Sequence, residues 1–226
     1  MQYRYIHIPE ILPKPVLDMV LHLLADAKFV DGKATASMTA QLVKNNLQAD
    51  QNEQERIVQM QQLVGNTIFK HKKFNQIAMA TQLYPLIFSK YEVGMEYGWH
   101  VDSPMMGTPP MRTDWAMTLF LSDPNTYEGG ELEIEATSGT TMYKPAAGDA
   151  VLYPCQSVHR VRPVTKGTRL AAVTWMQSMI RNVEQRELVL QVQDIHQLIY
   201  DKDPLSPEAN QLLQVYSNLM RMWAEQ

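Results

Sequence analysis

The chain has 226 residues, 45 % of them hydrophobic, and carries 20 Lys and Arg against 24 Asp and Glu, a formal charge of −4. That suffices for one substantial core with a small appendage, and the weak acidity gives no electrostatic reason to expect nucleic acid or an anionic membrane surface as partner. The single cysteine, Cys155, excludes an intramolecular disulfide and a Cys-x-x-Cys metal site.

The start, "MQYRYIHIPEILPKPV", lacks the basic region and apolar run of a secretory signal, and no apolar stretch approaches the length of a membrane span. The expectation is a soluble cytoplasmic protein. Residues 13–28 open on prolines and then place Val16, Met19, Val20, Leu23 and Leu24 at the spacing of an amphipathic helix. Residues 53–71 repeat that pattern with Ile57, Met60, Val64 and Ile68. Between them, "KFVDGKATASMTAQLVKNNLQ" mixes turn residues with short apolar runs and predicts a hairpin or loop.

From Leu83 to Trp175 the chain changes to short strand-like runs punctuated by Gly and Pro. The runs are "YPLIFSKYEV", "YGWHVD", "WAMTLFLS", "GELEIEA", "GTTMYKP", "DAVLYP", "SVHRVRPV" and "TRLAAVTWMQ". Their spacing, about ten residues, predicts two packed antiparallel sheets, a sandwich or jelly roll. Helical periodicity returns after Ser178 in "NVEQRELVLQVQDIHQLIY" and "SPEANQLLQVYSNLMRMW", the second with Ser206 as N-cap and Pro207 at its first position. This C-terminal pair serves equally as a dimer contact in a homo-oligomer or as a cover for the open end of the barrel. The expected division is 1–77 as a helical and hairpin region packed on the core, 78–178 as the β core and 179–226 as a helical extension.

Of six histidines, His22, His71 and His196 sit in or beside helical segments, whereas His100 and His159 fall in strand-like runs. His100 and Asp102 alternate along one run, so on a strand both side chains leave the same face, about 6.6–7 Å apart. Two imidazoles and one carboxylate make a facial ligand set that leaves open metal positions, as in non-haem Fe(II) oxygenases. A His-x-Asp pair alone is weak evidence, since it also arises by chance.

Arg169 adds to it. Read as a hairpin closed at "VTK", residues 159–175 place Val161 opposite Arg169 and His159 opposite Ala171. Arg169 then shares the face of His159, and its planar guanidinium can grip the far carboxylate of a metal-chelating 2-oxo acid through two charge-assisted hydrogen bonds. Arg160 and Arg162 point to the opposite, solvated face in that register, and a one-residue slip would reverse the argument. Gly129 and Gly130 read as a turn feeding a strand, Asp149 as a turn residue and Cys155 as a buried thiol. The segment 103–114, rich in proline and methionine, is either a covering loop or a substrate-contacting edge of the pocket. Trp99 and Trp115 flank it as packing residues or pocket walls.

The segments "YEVGMEYGWHVDSP", "TLFLSDPNTYEGGELEI", "KPAAGDAVLYPCQSVHRVRPVTKGTRLAAVTWMQS" and "DGKATASMTAQLVKNNLQ" closely resemble the bacterial PKHD-type hydroxylases, Fe(II)- and 2-oxoglutarate-dependent oxygenases related to prolyl and lysyl hydroxylases. The resemblance spans nearly the whole chain. Its joint pattern of His-x-Asp, Gly-Gly-Glu-Leu, a distal His and an Arg ten residues later is highly specific. It implies a mainly β fold with flanking helices and a double-stranded β-helix core. It also implies Fe(II) on His100, Asp102 and His159, and Arg169 on the C5 carboxylate of 2-oxoglutarate. Tyr91 matches a tyrosine that in the related prolyl hydroxylases donates a hydrogen bond to the cosubstrate. The implied reaction consumes 2-oxoglutarate and O₂, with L-ascorbate as an accessory reductant. It releases succinate and CO₂ and hydroxylates an unidentified substrate, a prolyl or lysyl side chain or a small metabolite. Because the Asp is retained, hydroxylation is favoured over halogenation. Two other readings compete: a zinc hydrolase on the same His/Asp/His set, which leaves Arg169 without a role, and a β-sandwich binding module in which both histidines are core residues.

Overall fold

A computed structural model describes residues 4–36, 38–136 and 139–225. The first three residues, part of the start read above as unlike a secretory signal, lie outside the described residues.

Two antiparallel sheets face one another. The larger runs in the order β1 (Ile6–Ile8), β14 (Ala150–Pro154), β10 (Trp115–Phe120), β17 (Arg169–Ser178), β6 (Ile87–Tyr91), β4 (Leu47–Ala49) and β2 (Phe29–Asp31), with β5 (Ala80–Leu83) also paired to β17. The smaller has the order β13 (Gly139–Tyr143), β12 (Leu132–Ala136), β15 (His159–Val161), β7 (Glu96–His100) and β3 (Lys44–Asn45). Two short pairs complete the strands: β8 (Met105–Met106) with β9 (Met111–Arg112), and β11 (Glu128–Gly129) with β16 (Val164–Lys166). All eight strand-like runs of the sequence are present in this jelly-roll arrangement.

The central strands β10 and β14 of the larger sheet are buried on both faces, and the side-chain period of two sorts their residues. Trp115, Met117 and Leu119 of β10 point to a helical layer, while Ala116 and Phe120 point between the sheets toward Leu132, Ile134 and Tyr153. The helical layer holds α1 (Lys14–Ala25), α3 (Gln54–Lys70) and α4 (Lys72–Ala78), with a further short helix, α2 (Met38–Leu42), elsewhere. In α3 the four predicted apolar residues are the buried stripe. In α1 the stripe is Leu17, Val20 and Leu24 instead, with Met19 turned to solvent. The α4 helix, unforeseen in the sequence, buries Phe74 and Ile77 and is capped by His71, whose ring accepts from the Phe74 N–H at 3.2 Å.

Of the two readings offered for residues 28–48, hairpin or loop, the hairpin is present as β2 against β4, with a 3₁₀ turn and α2 inserted between the strands. It crosses from the smaller sheet at Lys44 to the larger one at Leu47 and closes one side of the barrel. The C-terminal helices α5 (Val183–Tyr200) and α6 (Pro207–Trp223) pack on the core through Val189, Leu190, Tyr216 and Trp223. As expected, Ser206 caps α6, accepting from the Ala209 N–H. No helix among the described residues is long and apolar enough to cross a membrane.

One predicted pairing is wrong. Strands β15 and β17 do not form a hairpin: β15 pairs with β12 and β7, and β17 pairs with β10, β6 and β5. The connection forms its own strand, β16, against β11, and carries the chain from one sheet to the other. Glycine makes this crossing fit, since a Cβ on Gly129 (φ +72°) would lie 2.0 Å from the Pro163 carbonyl oxygen.

Candidate active site

Between the sheets lies a cavity of about 530 Å³ whose lining runs from Thr35 to Trp175, so α5 and α6 contribute nothing to it. His100 ends β7 and His159 begins β15, and the two are directly paired across the smaller sheet. Strand β7 stops at His100, so Asp102 reaches the histidines because the chain turns beyond the strand rather than by strand alternation. Asp102 Oδ1 lies 3.9 Å from His100 Nε2 and 3.8 Å from His159 Nε2. These gaps exceed a hydrogen bond and suit three ligands around one ion. Among the described residues, these three are the group of His, Cys, Asp and Glu side chains whose ligand atoms, all within 4.8 Å of one another, could hold a metal.

The backbone sets the tautomers. His100 Nδ1 is 2.8 Å from the Gly98 carbonyl oxygen and His159 Nδ1 is 3.0 Å from that of Ser157. Each Nδ1–H therefore donates outward and leaves the Nε2 lone pair facing the cavity. Burial pushes both imidazoles down to about 4, His100 further through its neighbour His159, so they are neutral at pH 7. Burial pushes the Asp102 carboxyl up, and its Oδ2 is buried without a hydrogen-bond partner among the described residues. A bound cation would reverse that penalty. The donor set and the orphaned oxygen both fit a divalent metal.

Arg169 comes from the facing sheet, at the start of β17 opposite Tyr91. It is 1 % exposed, and its Nε and Nη2 have no hydrogen-bond partner among the described residues. Its guanidinium carbon lies 5.1 Å from the Tyr91 ring centroid and 5.4 Å from that of Phe120. A Cβ on Gly130 (φ +65°) would come within 3.0 Å of Arg169 Cδ, so the second glycine of the Gly-Gly pair leaves room for this side chain. A buried, under-bonded guanidinium is costly unless an anion meets it. Arg160 and Arg162 do point to the outer face, where they pair with Glu133 (2.7 Å) and Glu131 (3.9 Å).

The sequence profile of the 2OG-Fe(II) oxygenase superfamily matches residues 86–177, which include the His/Asp/His group, Tyr91 and Arg169. A PKHD-type hydroxylase of Gloeothece citriformis is 39 % identical over 218 residues, covering 96 % of this chain and 98 % of its own length. The chain belongs to the PKHD-type hydroxylases. A second member of the family, from Saccharophagus degradans, is 41 % identical over 222 residues, covering 96 % of this chain and 98 % of that one. The fold extends further. A prolyl hydroxylase of Trichoplax adhaerens, solved in complex with a peptide fragment of the hypoxia inducible factor oxygen degradation domain, superposes with a TM-score of 0.55 at 18 % identity, over 77 % of this chain and 84 % of that one.

Sequence reasoning missed several cavity residues. Trp175 had a readable signal, since Arg169, Val173 and Trp175 lie at even spacings along β17 and all line the cavity. Tyr97 did not. A register shift between β15 and β7 sets Gly98 and Trp99 of β7 against Arg160 alone on β15, which brings Tyr97 onto the face of His100. The two rings stack at 3.7 Å with 13° between their planes. Lys44 and Asn46 also line the cavity, both buried. Of the segment 103–114, Ser103, Pro104 and Met106 line the cavity, and the segment forms the β8–β9 hairpin. Trp99 lines the cavity, with Arg160 4.6 Å above its ring, whereas Trp115 is fully buried beneath Arg186.

Proposed function

We propose that this chain is a hydroxylase in which His100, Asp102 and His159 hold Fe(II) and Arg169 holds the C5 carboxylate of 2-oxoglutarate. The observation that carries the reading is a buried guanidinium with orphaned nitrogens in the same cavity as two neutral imidazoles and a carboxylate. When bound, the iron with 2-oxoglutarate and O₂ supplies the oxidising power, converting the cosubstrate to succinate and CO₂ and one substrate C–H to C–OH.

The chain's own part is positional and electrostatic. The Gly98 and Ser157 carbonyls fix both rings with Nε2 inward. Asp102 supplies the single negative charge of the ligand set. Arg169 offers a planar fork to a carboxylate, walled from water by Tyr91 and Phe120. Tyr91, buried and with its phenol pushed up by burial, stays protonated and keeps its O–H as a donor toward the cosubstrate. L-Ascorbate would sustain turnover by keeping the iron reduced. A zinc hydrolase on the same ligands leaves the Arg169 guanidinium without a task.

Succinate release from 2-oxoglutarate without primary substrate tests this reading. His100→Ala, Asp102→Ala and His159→Ala should each abolish the release while the β core stays folded. A His100→Ala protein with full iron occupancy and turnover would refute the assignment.

A further inference from the structure

The reading above leaves Lys44 without a task. It sits at the edge of the smaller sheet opposite Tyr97, is 5 % exposed and lines the cavity. Its Nζ donates to Thr35 Oγ1 at 2.8 Å, and that hydroxyl donates on to Gln48 Oε1 at 2.8 Å. The relay fixes the ammonium and uses one of its three N–H donors. Nζ also lies 5.2 Å from the centroid of the Tyr97 ring, which itself stacks on His100. Among the described residues, the carboxylates that act on Lys44, Asp102 and Asp31, do so only through space, and burial holds its pKa down to about 8. An ammonium kept in a cavity without a contacting carboxylate is costly, and the cost is recovered when a ligand brings the anion.

Lys44 and Arg169 meet different side chains of the cavity. The ammonium is surrounded by Thr35 and Tyr97, the guanidinium by Tyr91, Phe120 and Tyr127. A single dicarboxylate held by Arg169 and chelated at the metal leaves the second cation to another anion. We propose that Lys44 receives a carboxylate of the primary substrate, so that the enzyme hydroxylates a carboxylate-bearing molecule anchored beside the His/Asp/His group. This deepens the iron and 2-oxoglutarate reading and rests on it.

The test uses full-length protein loaded with Mn(II) and saturated with 2-oxoglutarate, after binding of both has been measured. Two isosteric pairs serve as probes, pentanoate with pentanamide and phenylacetate with phenylacetamide. Paramagnetic relaxation of the probe protons reports occupancy near the metal. The expected result is tighter binding of each acid than of its amide by roughly tenfold, as for a charge-assisted pair with partial solvent access. That preference should vanish in Lys44→Met and in Lys44→Gln, which keeps a donor toward Thr35, and persist in Lys44→Arg, with 2-oxoglutarate affinity unchanged in all three. Equal binding of acid and amide to the unaltered protein would overturn the inference, as would a preference that survives Lys44→Met. A fall of tenfold or more in 2-oxoglutarate affinity in Lys44→Met would overturn it too, assigning Lys44 to the cosubstrate's C1 carboxylate. If the unaltered protein bound neither Mn(II) nor 2-oxoglutarate, the underlying reading would fall first and this one with it.

Discussion

Replacing Arg169 by methionine should move two measurements in different directions. Methionine keeps an unbranched chain of similar length and removes the charge, so the space between Tyr91 and Phe120 stays filled. In the ligand-free protein, Arg169 Nε and Nη2 have no hydrogen-bond partner among the described residues. Removing them should therefore leave stability unchanged or raise it. Cosubstrate affinity should fall. Truncating one partner of a buried, hydrogen-bonded charge pair costs about 2–5 kcal/mol, and the lower end, suited to a cavity that communicates with solvent, corresponds to a dissociation constant raised about 30-fold. Calorimetric titration of 2-oxoglutarate into Mn(II)-loaded protein reads this directly. Thermal unfolding gives an independent check. Cosubstrate at 100 times its dissociation constant stabilises by about 2.7 kcal/mol, whereas the same concentration would be about three times the raised constant and stabilise the variant by about 0.9 kcal/mol. Arg169→Lys should recover part of the loss, keeping charge without the planar fork. Arg162→Ala, on the outer face, should change neither reading. The reasoning fails if Arg169→Met binds 2-oxoglutarate normally, or if its ligand-free form loses several kcal/mol.

Gly130→Ala should weaken cosubstrate binding and destabilise the fold by about 1–3 kcal/mol, because its Cβ would crowd Arg169 at positive φ; normal values for both would contradict the close approach. Stability of the metal-free protein should decline as pH falls from about 6.5 to about 4. Across that window the unfolded chain protonates histidines that the fold keeps neutral, since burial pushes His100 and His159 down to about 4. Urea denaturation at a series of pH values checks this, and a flat profile would count against the buried, neutral imidazoles. Ser206→Ala should cost about 1 kcal/mol in urea denaturation by removing the cap on Ala209, and leave cosubstrate affinity untouched because α6 takes no part in the cavity.

The strands were legible because Gly and Pro punctuate them. Runs such as "WAMTLF" lack alternation for the reason the structure gives: β10 is buried on both faces. His100, Asp102, His159 and Arg169 were legible as a motif, and the structure gathers all four around one cavity. The local argument that linked Arg169 to His159 was wrong nonetheless. Pairing two neighbouring strands as a hairpin is the simplest reading of sequence, yet here the connection Val164–Lys166 pairs with Glu128–Gly129 and moves the chain between sheets. Sequence reasoning could not place Tyr97 beside His100, because a register shift is a property of two strands together. It passed over Lys44 for a similar reason. Nothing in "LVKNNLQ" singles the lysine out, and only the crossing of residues 44–49 between the two sheets carries it inside.

The most direct test of the central claim is metal titration of the metal-free chain under anaerobic conditions, followed by addition of 2-oxoglutarate and air. The account predicts one Fe(II) per chain, lost in His159→Ala, with succinate formed only when both iron and 2-oxoglutarate are present. Tight zinc binding with no succinate under any condition, or iron bound equally well by His159→Ala, would contradict it.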